Sequence, residues 1–212
     1  MKKVLIIAVA LIAALPIAHA TVYNFTSAPS AGVSVAAYTI TSGDPQGAVG
    51  STLLYGTDSG VYYDPSGKNA GAGVTGTGDN VTNTSFLVVD FSSPVLPSGD
   101  TVSVEMYDVT DGYIIYGTNS AFSLNVGSTT NGSIGGLHEL AADTTVAYNG
   151  ANVDAQFKLA ASYQYLVITA NPACELDLNY ISYTPTPEPG TFVMAGMALI
   201  GLGAALRKTR KS

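Results

Sequence analysis

The sequence predicts an all-β protein, with one antiparallel β-sandwich or jelly-roll-like domain between an N-terminal signal peptide and a short C-terminal transmembrane helix. Three observations predict this. The central part is rich in Thr, Ser, Val, Tyr, Gly and Asn and has no amphipathic stretch of helical period beyond a turn or two. Its short apolar runs are separated by turn residues. Each end carries an apolar run beside basic residues. The predicted segments are a signal peptide (1–20), a β domain (21–183), a Pro-rich spacer (184–191), a transmembrane helix (192–206) and a basic cytoplasmic tail (207–212).

The first 20 residues, MKKVLIIAVALIAALPIAHA, have the three-part order of a secretory signal peptide. Lys2 and Lys3 are followed by an apolar stretch over residues 4–15, and then by the small-residue sequence Ala-His-Ala that ends at Ala20. A core helix rarely combines these features. We therefore expect export, with cleavage after Ala20.

The charge of the central domain is strongly negative. Between Thr21 and Thr186 the only cations are Lys68 and Lys158, against 14 of the 15 carboxylates, which gives a formal charge of −12. Binding to a phosphate backbone requires clustered Lys and Arg, so nucleic-acid binding is excluded. Such an acidic surface favours solubility and is compatible with binding to divalent cations or to hydrated polysaccharide.

The central domain divides into roughly ten short strands. In the segment TVSVEMYDV, Val102, Val104 and Met106 alternate with Thr101, Ser103 and Glu105, which predicts one buried and one water-facing side. The segment 64–80 is polar and glycine-rich, and it is predicted to be a long surface loop. The predicted strands are 22–25, 33–40, 51–56, 60–64, 84–91, 101–109, 113–117, 121–126, 144–149, 163–170 and 175–184.

Tyrosine is the aromatic residue that dominates the domain, with 13 copies and no tryptophan. Tyr62 and Tyr63 are adjacent, so in a strand they point to opposite faces and at least one is exposed. Tyrosine rings stack on sugars, and these two are the candidate glycan contacts. The alternative, which is preferred, is that they pack in the core or across strands.

Few residues in the chain suit a metal ion or a redox role. Cys174 is the only cysteine, so no intrachain disulfide forms, and a buried thiol is favoured over an intermolecular bond. Zinc needs several Cys or His ligands. Calcium takes carboxylate and backbone oxygens, for which Asp79, Asp108 and Asp111 are weak candidates. The turn interpretation of these aspartates is preferred, and no other cofactor is predicted.

The sequence offers little for catalysis, so we predict no enzyme. Beyond the signal peptide, His138 is the only histidine able to activate a nucleophile such as Cys174 or a serine. No G-x-S-x-G pattern occurs, and the carboxylates are scattered. GAGVTG, at 71–76, fits G-x-G-x-x-G but lacks the strand before and the helix after that a dinucleotide site requires.

The C-terminal apolar run suits a temporary membrane anchor. Residues 192–206 would form a helix about 22 Å long, shorter than the roughly 30 Å hydrocarbon core of a bilayer. Arg207, Lys208, Arg210 and Lys211 follow it and would remain cytoplasmic. The two ends of the precursor would then face inward, with the β domain outside.

The order Pro187-Glu188-Pro189, short glycine-containing apolar helix and basic cluster resembles the PEP-CTERM protein-sorting signal. The resemblance implies that an exosortase of a Gram-negative, exopolysaccharide-producing bacterium recognises the three-residue motif and cleaves there. It also implies that the helix holds the precursor in the inner membrane and that the basic cluster stops translocation. The central domain resembles, more loosely, the β-rich passenger domains of that family.

The function predicted from these features is that of an exported, exosortase-sorted protein of the cell surface or extracellular matrix. We expect it to be non-enzymatic and associated with exopolysaccharide, as in a biofilm or floc. One alternative is a calcium-assisted carbohydrate-binding module. Another, less favoured, is a secreted hydrolase that uses His138.

Overall fold

The computed structural model describes most of the central domain, which forms one compact unit over Ala20–Thr184. The predicted signal peptide, transmembrane helix and basic tail lie outside the described residues. No helix in the described part of the chain is long and apolar enough to cross a membrane. The described residues are 20–29, 32–42, 54–65, 70–76, 79–91, 96–107, 109, 112–120, 132–143, 152–171 and 175–184.

The described residues form fourteen strands and contain no helix, which confirms the predicted all-β class. The strands are β1 (Thr21–Asn24), β2 (Ser34–Ser42), β3 (Leu54–Asp58), β4 (Val61–Asp64), β5 (Gly71–Val74), β6 (Val81–Thr82), β7 (Ser85–Asp90), β8 (Thr101–Tyr107), β9 (Tyr113–Thr118), β10 (Gly132–Ile134), β11 (His138–Asp143), β12 (Val153–Lys158), β13 (Tyr165–Ala170) and β14 (Glu175–Thr184).

The strands form two antiparallel sheets of seven strands each. Two antiparallel sheets are the arrangement of a β-sandwich. The front sheet has the order β12-β8-β14-β5-β4, and β1 and β6 also pair with β14. The back sheet has the order β10-β3-β2-β7-β13-β9-β11. Neighbours in the sheets are often distant in sequence, so only the folded chain brings β8, β12 and β14 together.

The main core lies between the two sheets. In β8, Val102, Val104 and Met106 are fully buried while Thr101 is exposed, so the predicted alternation of this strand is confirmed. The ring of Tyr23 on β1 packs edge-on against Phe91, which follows β7, with 5.7 Å between ring centroids. This contact joins the front sheet to the end of a back-sheet strand.

The back sheet is buried on both faces along its central strands. In β7, Leu87 and Val89 belong to the core between the sheets, whereas Phe86 and Val88 belong to a second apolar cluster. The rings of Tyr38 and Phe86 stack there with centroids 5.3 Å apart. Burial on both faces explains why this strand is apolar at consecutive positions.

The prediction of a surface loop over residues 64–80 is wrong for its middle part. Residues Gly71–Val74 form β5, which is buried at all four positions and pairs with β4 and β14. A side chain on Gly73 would collide with the carbonyl oxygen of Asp79. Glycine here permits close backbone approach, and composition alone could not distinguish that role from an exposed loop.

Several other strands were not predicted, and two predictions fall where nothing is described. The strands β6, β10, β11 and β12 were missed, because each is short or mostly polar. The predicted strands at 121–126 and 144–149 lie outside the described residues.

Candidate functional site

Many of the predicted site residues lie outside the described residues. These include Cys174 and the calcium candidates Asp108 and Asp111. They also include the residues of the sorting signal and the basic cluster, Pro187, Glu188, Pro189, Arg207, Lys208, Arg210 and Lys211.

Tyr62 and Tyr63 lie on β4, the strand at one edge of the front sheet, and point to opposite faces as predicted. Tyr62 is 40% exposed on the outer face. Tyr63 is half-buried and packs against the core, and burial raises its pKa. Only Tyr62 is therefore placed to meet a ligand in solution.

Asp79, the remaining calcium candidate, lies beside β5 with a left-handed backbone (φ 70°). Its carbonyl covers Gly73, and the next residue, Asn80, donates a 2.9 Å hydrogen bond to Glu175. Within the described ranges, no group of three or more His, Cys, Asp or Glu side chains could hold a metal ion.

His138 begins β11 and is exposed at the rim of an open depression of about 440 Å³. Its ring lies 6.2 Å from that of Tyr163, centroid to centroid. Ser120 lines the same depression. In the part of the chain that the structure describes, His138 has no hydrogen bond to a serine or a carboxylate.

The carboxylate of Glu105 is a hydrogen-bonded polar group on the outer face of the front sheet. Its Oε1 accepts a 2.7 Å hydrogen bond from Nδ2 of Asn179 and a 3.0 Å hydrogen bond from Nδ2 of Asn152. The Tyr180 side chain lies near this carboxylate, which contributes to the raised pKa of the tyrosine. Two amide donors, one from β14 and one from the residue before β12, thus converge on one side chain of β8, beside Tyr180. We call these four residues the Glu105 cluster.

A β-bulge in β14 makes this convergence possible. Leu178 pairs with Met106 and Tyr180 pairs with Glu105, so Asn179 is an extra residue in β14. A bulge re-aims side chains that regular alternation would send to opposite faces. The side chains of Asn179 and Tyr180 therefore both lie beside Glu105.

The cluster lies in a polar and acidic environment. Burial raises the pKa of Tyr180, and the nearby carboxylates of Glu105 and Asp154 raise it further. Beside the cluster, the Ser103 hydroxyl donates to the Asp154 carboxylate across β8 and β12. Tyr107 is half-buried at the end of β8, opposite Asp177 of β14.

The sequence placed Glu105 on the water-facing side of its strand but did not identify the cluster. Its members come from residues 105, 152 and 179–180, and the pairing of three strands brings them together. The alternation of β8 was the only available signal, because a single sequence contains no sign of the bulge.

The C-terminal segment matches a known family model. Residues 185–211 match the PEP-CTERM protein-sorting motif, so the predicted resemblance is confirmed for this segment. The motif implies an exported protein that is sorted through the membrane and recognised by an exosortase. The chain is thus a protein that carries a PEP-CTERM sorting signal C-terminal to a β-sandwich domain.

Solved structures of similar shape include carbohydrate-binding modules. A family 29 carbohydrate-binding module from Piromyces equi is 9% identical, with 81% of this chain and 94% of that chain covered and a TM-score of 0.41. A variant family 29 module complexed with mannohexaose is 10% identical (80% and 94% covered, TM-score 0.40). The cleaved adhesin domain of Lys-gingipain from Porphyromonas gingivalis is 14% identical (78% and 95% covered, TM-score 0.35). No curated protein matches the chain.

Proposed function

We propose that this protein is a non-catalytic component of the cell surface or extracellular matrix of a Gram-negative bacterium that makes exopolysaccharide. In this proposal, an exosortase recognises Pro187, Glu188 and Pro189 and cleaves the precursor there. Residues 192–206 hold the precursor in the inner membrane until that step, with the basic cluster on the cytoplasmic side. The β domain then associates with exopolysaccharide in a biofilm or floc.

The observation that carries the proposal is the match of residues 185–211 to the PEP-CTERM sorting motif. The charge of the central domain supports an extracellular role among hydrated polymers, because 14 carboxylates and only two lysines lie between Thr21 and Thr186. The exposed setting of His138, hydrogen-bonded to no described serine or carboxylate, supports a non-catalytic role.

The test compares the full chain with a truncation that lacks residues 185–212. We expect the full chain to reach the cell surface or the medium as a processed form whose intact mass ends near Pro187. The truncation should be mislocalised. Normal surface delivery of the truncated chain would contradict the sorting proposal. A variant with Pro187 and Pro189 both changed to Ala is a smaller change than the truncation, because it keeps residues 192–206 and the basic cluster. It should be mislocalised in the same way.

A second candidate function is a carbohydrate-binding module, and the exposure of Tyr62 on an edge strand favours it. Calcium held by Asp79, Asp108 and Asp111 would assist by ordering the loops. A polysaccharide pull-down with the full chain in detergent, with and without calcium, tests this. Binding that Tyr62→Ala weakens would support it, with Tyr63→Phe as the control that retains the packed ring. No binding in either condition would remove this candidate.

A further inference from the structure

We propose that the Glu105 cluster is a binding site for an uncharged, hydroxyl-rich polysaccharide chain that lies across the outer face of the front sheet. This inference deepens the proposed association with exopolysaccharide and rests on it for its biological setting. This surface is separate from Tyr62. Tyr62 lies on β4 and pairs with Gly73 of β5, and the backbone of Asp79 covers Gly73.

The first argument is preorganisation. Asn179 is buried and Asn152 is exposed, yet both amides are fixed by hydrogen bonds to the same oxygen of Glu105. Tyr180 pairs with Glu105 across the two strands, so its side chain lies beside the same carboxylate. A ligand that meets side chains already held in one orientation loses less conformational entropy on binding, which improves affinity.

The second argument concerns which hydrogen-bonding groups remain available. Asn152 and Asn179 each use an N–H on Glu105, which leaves their carbonyl oxygens as acceptors. The hydroxyl oxygen of Tyr180 is also an acceptor. Sugar hydroxyls are donors that suit such acceptors. The half-buried rings of Tyr107 and Tyr180 add aromatic surface against which the apolar side of a sugar ring packs.

The third argument concerns charge. Glu105 and Asp154 lie on this face, and Lys158, at the far end of β12, is the cation among the described residues of these strands. A polymer of uronates would be repelled. A polymer with amino groups would be attracted by charge, but Glu105 already accepts two amide hydrogen bonds and offers less to an ammonium group. An uncharged polymer suits the face best.

The fourth argument concerns extent. Asp154 on β12, Glu105 on β8, Tyr180 on β14 and Asn24 on β1 form one row across four neighbouring strands. Three inter-strand intervals give a row about 14 Å long. This length suits a segment of a polymer better than a single sugar.

The experiment is affinity electrophoresis of the full chain in a mild nonionic detergent. The gels contain a soluble β-glucan, a galactomannan, an alginate as the uronate polymer, or a chitosan as the amino polymer. We expect retardation in at least one neutral polysaccharide. Tyr180→Ala should weaken binding there by about tenfold, or about 1.4 kcal/mol, since it removes an aromatic surface of the site. Asn152→Ala, at an exposed position, is the second variant, with a smaller loss and little risk to folding.

Tyr62→Ala is the variant that distinguishes the two candidate surfaces, because it changes an exposed tyrosine of the same sheet outside the cluster. Binding that Tyr62→Ala abolishes and Tyr180→Ala leaves intact would overturn the inference while leaving the carbohydrate-binding candidate in place. Retardation confined to chitosan or alginate, or no retardation in any neutral polysaccharide, would also overturn it. Because the gels use the full chain from detergent, none of these results depends on whether an exosortase cleaves it.

Discussion

Glu105 on β8 and Tyr180 on β14 are paired directly across the front sheet, at the β-bulge that makes Asn179 an extra residue in β14. Burial and this carboxylate raise the pKa of Tyr180, and the same carboxylate accepts hydrogen bonds from Asn179 and Asn152. An exposed sheet face is therefore organised around one charged acceptor.

The first prediction is that Glu105→Gln lowers the pKa of Tyr180 from its raised value. The negative charge of Glu105 disfavours the tyrosinate form of Tyr180. Glutamine removes this charge but retains an oxygen that accepts hydrogen bonds. The pKa of Tyr180 would be measured by NMR titration of ring-labelled tyrosine. Asp154→Asn is the control, with a smaller decrease because Asp154 acts only through its charge. An unchanged pKa in Glu105→Gln would show that the two residues are not coupled.

The second prediction is that the domain loses stability above pH 10. The pKa values of five tyrosines, all ordinarily 10.0, are raised in the folded state, chiefly by burial; the five are Tyr23, Tyr38, Tyr63, Tyr113 and Tyr180. A group with a raised folded pKa contributes its full stability below the unfolded pKa and loses it as pH rises through the folded pKa. The midpoint of urea unfolding should be insensitive to these groups below about pH 9 and fall above pH 10. A constant midpoint up to pH 11.5 would contradict this.

The third prediction is that Gly73→Ala destabilises the domain by about 1–3 kcal/mol, as overpacking of a closed site does. The added methyl would collide with the Asp79 carbonyl and lie 2.9 Å from Oδ1 of Asp177. Urea unfolding measures the change. Gly76→Ala is the control, because nothing lies within 4 Å and only its positive φ of 88° opposes alanine, at about 1 kcal/mol. A smaller loss for Gly73→Ala than for Gly76→Ala would refute the close approach.

The fourth prediction is that Thr118→Val destabilises the domain by about 1–3 kcal/mol, although the two side chains have nearly the same shape. The buried Thr118 hydroxyl donates a 2.7 Å hydrogen bond to the Gly135 carbonyl and accepts one from the N–H of Ser120. Valine leaves the buried carbonyl without this donor. Thr101→Val, at an exposed strand position, should change the free energy of unfolding by less than about 0.5 kcal/mol. Equal effects at the two positions would indicate that the Thr118 hydroxyl contributes nothing.

The strands with clear alternation or dense apolar content were predictable from local sequence. Val102, Val104 and Met106 identified β8, and the apolar run of β7 identified a buried strand. The polar strand β12 was not predictable, because three of its six residues are exposed and its pairing with β8 supplies the order. β5 was not predictable either, because two of its four residues are glycines and glycine-rich sequence is more typical of loops.

By itself, the sequence determined the all-β class, the acidic character of the domain and the sorting motif at residues 185–211. These properties reside in composition and in contiguous residues, so they need no folding to be recognised. Only the tertiary structure decided that β5 is buried, that Tyr62 is exposed while Tyr63 packs inward, and that the Glu105 cluster exists. Each depends on which strands become neighbours and on a one-residue bulge. Long-range pairing sets both, and no local pattern in the chain encodes them.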